Sequence, residues 1–231
     1  MFDPSTPPTA RCPFCTICTI FKPYDPLNPP PQSSPSIDPE LVSPASFVVL
    51  STPTLIAFLD ILPLSRGHLL LCPRPHRPKL TDVTDSESAE LGRYLRVLSK
   101  ATARATGVED WNVVQNNGAA AAQVVPHMHF HIIPRPEIRA SGRFSESFTM
   151  FGRGKREELD DDEAAQLAEE LRQSVAVVLK EEEEERQKGQ TIDVELSSSF
   201  LLSHWSLFRI SVSFWGSLCY ILIYLSNTHI M

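Results

Sequence analysis

Three histidines alternate with apolar residues in the order His127, Met128, His129, Phe130, His131. Successive side chains of a β-strand point to opposite faces and rise about 3.3 Å each, so the three imidazoles are expected to share one face. Imidazole titrates at about pH 6.5, which suits it to act as a nucleophile, a proton donor or a metal ligand at neutral pH. The pattern predicts a reactive site on one face of a strand, with Met128 and Phe130 turned toward a core.

Five short apolar segments are predicted to form the sheet that positions this row. Runs rich in Val, Leu, Ile and Phe between turn residues predict strands over 46–50, 55–62, 68–72, 111–115 and 127–133. A capping-box pair, Thr84 and Glu87, opens a helical pattern of apolar residues that ends at Gly107. Strands that follow one another with one long helix between them favour an antiparallel sheet in an α+β domain.

A second helix is predicted over residues 161–188. Its apolar stripe consists of Leu167, Leu171, Val175 and Val178. Five consecutive glutamates at 181–185 oppose the helix dipole at the predicted C-terminus, so we expect the helix to fray there.

Charge is unevenly distributed along the 231 residues, although the net charge is −7. Residues 157–186 hold 13 of the 28 carboxylates, and the rest of the chain has more basic than acidic residues. The positive charge on the rest of the chain favours binding of a phosphate-bearing ligand. With 42% hydrophobic residues, the chain can bury one sizeable core.

Three of the five cysteines, Cys12, Cys15 and Cys18, are closely spaced near the N-terminus. An odd count with C-x-x-C spacing and no signal sequence indicates a metal or thiol site in a reducing compartment, not a disulfide framework. The predicted location is cytoplasmic and/or nuclear. Tetrahedral Zn²⁺, which prefers thiolate and imidazole donors, is the metal expected at such a pair.

Four segments flank or interrupt the predicted catalytic domain at 11–139. They are an N-terminal tail at 1–10, a Pro/Ser-rich mobile insertion at 23–44, a loop with an acidic helix at 140–189, and a hydrophobic tail at 190–231. Within that tail, residues 210–228 carry no charged side chain and are long enough to cross a bilayer. A membrane tail anchor and a non-native end with no role in the domain are both open interpretations.

The three alternating histidines followed by Ile132 and Ile133 resemble the signature of the histidine triad family of nucleotide hydrolases and transferases. Further matches are Phe58 to Ile61, Pro63 to His68, Pro73 to His76 and Asn116 to Gly118. With Cys12 and Cys15, the chain is most similar to the Hint-like branch. The resemblance implies a five-stranded antiparallel sheet with two helices, a homodimer, and hydrolysis of adenosine phosphoramidates and related purine nucleotidyl compounds.

Carried over by position, the resemblance assigns the reactive groups. His129 is the expected nucleophile, which would hold the nucleotide covalently for part of the cycle. His131 is expected to contact the α-phosphate, and His68 to orient and polarise the site. His127 completes the histidine set, and it is also an expected zinc ligand together with Cys12, Cys15 and His76. This zinc would be structural.

The resemblance also assigns nucleotide contacts. Asp60 is expected to bind the ribose hydroxyls, Ile61 to line the base and ribose pocket, and Asn116 to help bind the nucleotide. Two positions depart from the family pattern: Ala122 replaces a glycine, and Val124 replaces a serine or threonine that donates to the phosphate or leaving group. Gln123 is retained between them and is expected to substitute in part for the lost donor.

Three other functions fit the same residues. Two are reactions within the family, dinucleoside polyphosphate hydrolysis and removal of adenylate from nucleic-acid ends. The second requires a basic surface, and Arg135, Arg139, Arg143, Arg153 and Arg156 are a modest supply beside an acidic helix, so nucleic acid is not the expected partner. The third is a nucleotide-binding scaffold whose catalysis has decayed at Ala122 and Val124.

Overall fold

The computed structural model of the chain describes residues 12–136 and 160–205, with side chains as far as 188. Two compact units are separable, Met1–Lys180 and Glu181–Met231, and the sheet and the candidate site belong to the first. No helix among the described residues is long and apolar enough to cross a membrane. The N-terminal tail at 1–10, the loop predicted after Ile138 and the candidate anchor at 210–228 lie outside the described residues.

Five antiparallel strands form one sheet in the order β1-β2-β3-β5-β4. Their bounds are Val48–Ser51 for β1, Leu55–Leu59 for β2, Leu69–Pro73 for β3, Trp111–Gln115 for β4 and Phe130–Pro134 for β5. The α-helices are α1 at Pro13–Ile20, α2 at Asp85–Thr106 and α3 at Asp161–Trp205. Short 3-10 helices occupy Pro35–Ile37, Pro39–Leu41, Leu80–Asp82 and Ala119–Ala121. The predicted α+β class and five-stranded antiparallel sheet are confirmed.

Both faces of the sheet are covered, because alternate strand residues join two different apolar clusters. The cluster formed with α2 and α3 takes Leu55, Ala57, Leu59, Leu69, Leu71 and Ile132. The cluster formed with α1 takes Val48, Ile56, Phe58, Leu70 and Cys72. Strand β2 is therefore buried on both sides along its whole length. Helix α1 is an α-helix that was not predicted.

Helix α2 begins and ends where the sequence pattern predicts. The side chain of Thr84 accepts from the backbone N–H of Glu87, and the side chain of Glu87 accepts from the N–H of Thr84. Gly107 ends the helix in the left-handed conformation, with a φ of 69°, which glycine adopts without steric cost. Both ends of the helix are thus determined by local chemistry.

The histidine segment is only partly a strand. Ladder pairing to β3 begins at Phe130 opposite Leu71, whereas His127 and His129 precede β5. The backbone N–H of Met128 donates to the carbonyl of Arg77 at 2.5 Å, which diverts it from the sheet. The predicted strand over 127–133 is therefore too long at its start, although Met128 is buried in the cluster under α2 as the alternation predicts.

The Pro/Ser-rich segment was expected to be mobile and to bury little surface, and the structure corrects the second point. It contains two 3-10 helices, each beginning with a proline and capped by Ser34 or Asp38. Ile37 is buried in this segment, and the N–H of Ser46 donates to the carbonyl of Pro39. Proline fixes φ near the value that such turns require, so the composition favours short turns here.

Helix α3 starts at the predicted Asp161 but extends to Trp205, so the prediction of an end at Lys188 is wrong, and residues 181–185 lie inside the helix and not at its C-terminus. Glutamate is a good helix former, and residues 161–205 contain no proline. The predicted apolar stripe of Leu167, Leu171, Val175 and Val178 is buried against the sheet. On the same helix, the buried Arg172 donates to the carbonyl of Val48 at 2.7 Å and to the carboxylate of Glu169, which ties α3 to strand β1.

Candidate active site

A cavity of about 580 Å³ opens on the α1 face of the sheet, at the end of β2 and the start of β5. Seven of the residues proposed from sequence line it: Asp60, Ile61, Asn116, Ala122, Val124, His129 and His131. The remaining wall comes mostly from α1 and from residues 42–46. This volume is in the range of pockets that enclose small molecules.

His129 lies buried in the wall of this cavity in a defined tautomer. Its Nδ1 is 2.6 Å from the carbonyl oxygen of His127. A carbonyl only accepts hydrogen bonds, so Nδ1 carries the proton and donates it, which leaves a lone pair on Nε2. Burial, more than any other effect, lowers the pKa of His129 below its ordinary value, so the ring stays neutral at pH 7. A neutral imidazole with an unprotonated Nε2 is a competent nucleophile.

His131 belongs to a chain of hydrogen bonds whose directions the backbone determines. The N–H of Leu64 donates to Nδ1 of His68 at 3.1 Å, so the proton of His68 lies on Nε2. That nitrogen is 3.0 Å from Nδ1 of His131 and donates to it. With Nδ1 accepting this bond, the neutral tautomer of His131 has its proton on Nε2, where it can donate to a negatively charged oxygen.

Asp60 comes directly after β2 and lies beside these two rings. One carboxylate oxygen accepts from the N–H of Leu62 at 2.9 Å. The other is 3.6 Å from Nε2 of His68 and 4.0 Å from Nδ1 of His131. A possible metal site is formed by the ligand atoms of Asp60, His68 and His131, which lie within 4.8 Å of one another. Because the Leu64 bond places a proton on Nε2 of His68, that atom acts as a donor and not as a metal ligand.

The loop between β4 and β5 forms one side of the cavity. Gln123 is buried; its amide oxygen accepts from the N–H of Gly118 at 2.6 Å, and its amide nitrogen donates to the carbonyl of Pro78 at 2.8 Å. Gln123 does not line the cavity, and it holds the loop instead. Ala122 has a φ of 61° in the left-handed region, where glycine would be unstrained. Val124 lines the cavity but is 81% exposed, so this side offers no hydroxyl donor and is open to solvent.

A second cluster brings together Cys12, Cys15, His76 and His127, whose ligand atoms lie within 4.8 Å of one another. Nδ1 of His127 is 3.5 Å from Sγ of Cys12 and 3.6 Å from Sγ of Cys15, and Nδ1 of His76 is 3.2 Å from Sγ of Cys15. Zinc bond lengths of about 2.3 Å to sulfur and about 2.0 Å to nitrogen imply a sulfur–nitrogen separation of about 3.5 Å in a tetrahedral site. The four side chains thus fit a zinc ion.

The outer nitrogen of His127 supports the same interpretation. Nε2 lies 2.7 Å from the carbonyl of Pro73 and donates to it, so the Nδ1 lone pair is directed to the cysteines. Burial and the neighbouring thiol of Cys12 raise the pKa of Cys15 to about 12, so without a metal the thiol is protonated at neutral pH, and binding a cation would release that proton. His127 does not line the cavity; its side chain belongs to this cluster, and its carbonyl accepts the hydrogen bond from His129.

Helix α1 was missed in the sequence, although it carries part of both sites. Phe14 lies between the two cysteine positions, and its ring centroid is 5.1 Å from that of His129 and 5.2 Å from that of Phe58. Pro13 and Ile17 also line the cavity. The available signal was the spacing of Phe14 and Ile17, three residues apart, which places both on one helical face.

The HIT domain profile matches residues 43–138 of the chain. An uncharacterized HIT-like protein of Methanocaldococcus jannaschii is 38% identical over 92 residues, which cover 39% of this chain and 69% of that protein. The chain belongs to the HIT family. An adenosine 5'-monophosphoramidase of Schizosaccharomyces pombe, hnt1, is 47% identical over 81 residues, which cover 35% of this protein and 58% of the relative. The prediction of a histidine triad protein of the Hint-like branch is confirmed.

The chain spans about half the length of the curated relatives it matches. Among solved structures, a zinc-bound histidine triad family protein of Mycobacterium smegmatis superposes with a TM-score of 0.50 at 23% identity, covering 74% of this chain and 98% of that chain. That similarity extends the fold assignment beyond residues 43–138.

Proposed function

We propose that this HIT protein hydrolyses adenosine 5'-phosphoramidate and related nucleotidyl compounds through a covalent nucleotidyl-His129. The hydrogen bond from Nδ1 of His129 to the carbonyl of His127 carries this proposal, because it leaves a neutral Nε2 lone pair in the wall of the cavity. The name of the S. pombe relative supports the substrate class.

In the first step, Nε2 of His129 attacks the α-phosphorus, a phosphorus–nitrogen bond forms, and the bond from phosphorus to the departing amine breaks. Nε2–H of His131 donates to a non-bridging oxygen, and such a positioned donor is worth about 100-fold in rate. Asp60 accepts from ribose hydroxyls, while Ile61 and Asn116 contact the nucleotide. Because Val124 cannot donate, the departing amine takes its proton from solvent.

In the second step, water attacks the phosphorus, the bond to Nε2 breaks, and the nucleoside monophosphate leaves. The proton lost by water returns to solvent and balances the one taken up by the amine. Since the same nitrogen attacks and then departs, His129 ends the cycle in its original tautomer.

The test is intact-protein mass spectrometry of a reaction with adenosine 5'-phosphoramidate quenched during turnover. We expect one added adenylyl group on the parent protein, localised to His129, and none on His129→Gly. Turnover of diadenosine triphosphate or adenylated DNA in preference to the phosphoramidate would instead favour the alternative hydrolases. AMP binding without turnover would favour the scaffold.

A nucleic-acid substrate has little support from the described residues. Of the five arginines considered for it, Arg135 is buried and donates to the side chain of Asn112 at 2.7 Å. The other four lie outside the described residues.

We further propose that Cys12, Cys15, His76 and His127 hold a structural zinc ion. Their separations support this assignment, and the related M. smegmatis protein is zinc-bound. Zinc here would cross-link α1 to the segment after β3 and to the approach to β5. Metal analysis of protein purified without added zinc should give one zinc per chain, and Cys15→Ser should lose it. Cys18→Ser is the matched control, and a parent without zinc would contradict the assignment.

We also propose that two copies pair through strand β4, which lies at the end of the sheet. Trp111 and Val113 on this strand are 42% and 45% exposed, an apolar pair on an open strand edge, which commonly recruits another strand. Sedimentation should show a dimer that Val113→Lys dissociates, while Val177→Lys, on an exposed position of α3, leaves the dimer intact. A monomeric parent would refute this interface.

A further inference from the structure

Ser46 is a buried hydroxyl in the cavity wall that packing alone does not explain. The residue is 2% exposed and belongs to the residues that line the cavity. Its backbone N–H donates to the carbonyl of Pro39, but among the described residues its Oγ has no hydrogen-bond partner. A buried hydroxyl without a partner is costly, so a ligand that supplies one is the natural explanation.

The strand register places Ser46 next to Asp60. Val48 pairs with Phe58, and the N–H of Leu59 donates to the carbonyl of Phe47 at 3.0 Å, so the antiparallel alignment continues beyond β1. Two residues further, Ser46 lies opposite Asp60. Side chains of opposed residues share a face with their Cβ atoms about 5 Å apart. That face is the one covered by α1, because Val48 and Phe58 both belong to the α1 cluster.

The position of Asp60 relative to the histidines indicates which part of a nucleotide Ser46 would meet. Asp60 lies 4.0 Å from His131, the expected donor to the α-phosphate. In a nucleoside 5'-phosphate the sugar comes directly after the phosphate, and its hydroxyls can donate to a carboxylate. A serine hydroxyl both donates and accepts, so it can bind the same hydroxyls in either direction.

We propose that Ser46 binds a ribose hydroxyl beside Asp60 and makes the site selective for ribonucleotides over deoxyribonucleotides. This inference rests on the proposed function, because it requires a nucleotide whose phosphate lies at His129 and His131. Ser46 is thus a specificity-determining residue, and its Oγ gains in the complex the partner that it lacks in the free protein.

The test compares the full-length parent, Ser46→Ala and Ser51→Ala by calorimetric titration with AMP, 2'-deoxy-AMP and 3'-deoxy-AMP. Loss of one hydrogen bond predicts about 3- to 10-fold weaker AMP binding by Ser46→Ala. With the deoxy analogue that lacks the contacted hydroxyl, Ser46→Ala and the parent should bind equally. Ser51, the control, is buried in the same segment, but its hydroxyl donates to the carbonyl of Lys22 at 2.9 Å, and it does not line the cavity.

Thermal unfolding without ligand supplies a second readout. Ser51→Ala should lower the unfolding temperature and retain AMP affinity, whereas Ser46→Ala should unfold at or above the parent's temperature. Unchanged AMP affinity in Ser46→Ala, or equal losses for all three nucleotides, would overturn the assignment of Ser46 alone. A parent that binds none of the three nucleotides would instead refute the proposed function, and this inference with it.

Discussion

The left-handed backbone of Ala122 should make Ala122→Gly a stabilising substitution. Its φ and ψ of 61° and 26° place the Cβ close to a carbonyl oxygen, at a cost of about 1–2 kcal/mol for a residue other than glycine. Glycine removes that cost but gains backbone freedom in the unfolded chain, which offsets about 0.5–1 kcal/mol. Because Ala122 is exposed, no packing is lost, and the net gain should be about 0.5–1 kcal/mol.

Ala121→Gly is the matched control, because Ala121 is also exposed but belongs to the 3-10 helix Ala119–Ala121 and has no positive φ. The unfolded-state term is common to both substitutions, so their difference isolates the strain at Ala122. We expect Ala121→Gly to lose about 0.5–1 kcal/mol, which separates the variants by about 1–2 kcal/mol. Urea unfolding, with equal m-values, measures this difference as a shift in midpoint. Equal midpoints would refute the reasoning.

Three further outcomes are expected. Val124→Ser supplies the missing donor at an exposed position and should raise phosphoramidate turnover by as much as about 100-fold, with a change in unfolding free energy below about 0.5 kcal/mol. Unaltered turnover would show that the departing amine does not pass this position. Arg172→Ala removes the hydrogen bond to the carbonyl of Val48 and should lower the unfolding free energy by about 3 kcal/mol. A loss below about 1 kcal/mol in urea unfolding would contradict the anchoring of α3 by Arg172. Burial lowers the pKa of His129, and only the neutral ring attacks. We therefore expect kcat/KM to stay constant as the pH falls to about 6.5 and to decline only below that value. A decline that begins above about pH 6.5 would contradict a neutral, buried nucleophile.

Local chemistry is why much of the fold was predictable. The Thr84–Glu87 pair and Gly107 determine both ends of α2 without reference to the rest of the chain. Alternation around Met128 predicted which side chains meet the core, although the strand itself begins later, at Phe130. The alternation of apolar residues can be read from neighbouring positions, whereas the residue at which a strand begins to pair depends on a distant segment. The N–H of Met128 donates to the carbonyl of Arg77, 51 positions away in the chain, and not to a neighbouring strand.

The remaining features depend on contacts that are distant in sequence. The amide of Gln123 looked like a ligand contact, but the carbonyl of Pro78 and the N–H of Gly118 engage it. Nothing local identifies Arg172 as the buried link to Val48, 124 residues earlier. Ser46 is one of many serines in the sequence, and its significance follows only from burial without a partner beside the cavity.

His127 connects the two sites through different atoms of one residue. Its imidazole lies among the cysteines, 3.5 Å from Sγ of Cys12, while its carbonyl accepts from Nδ1 of His129 at 2.6 Å. A shift of the His127 backbone would therefore weaken the bond that keeps the proton on Nδ1 of the nucleophile and leaves Nε2 free to attack. In the proposed cycle, the position of the His127 backbone, whose side chain belongs to the Cys/His cluster, therefore fixes the tautomer from which Nε2 of His129 attacks.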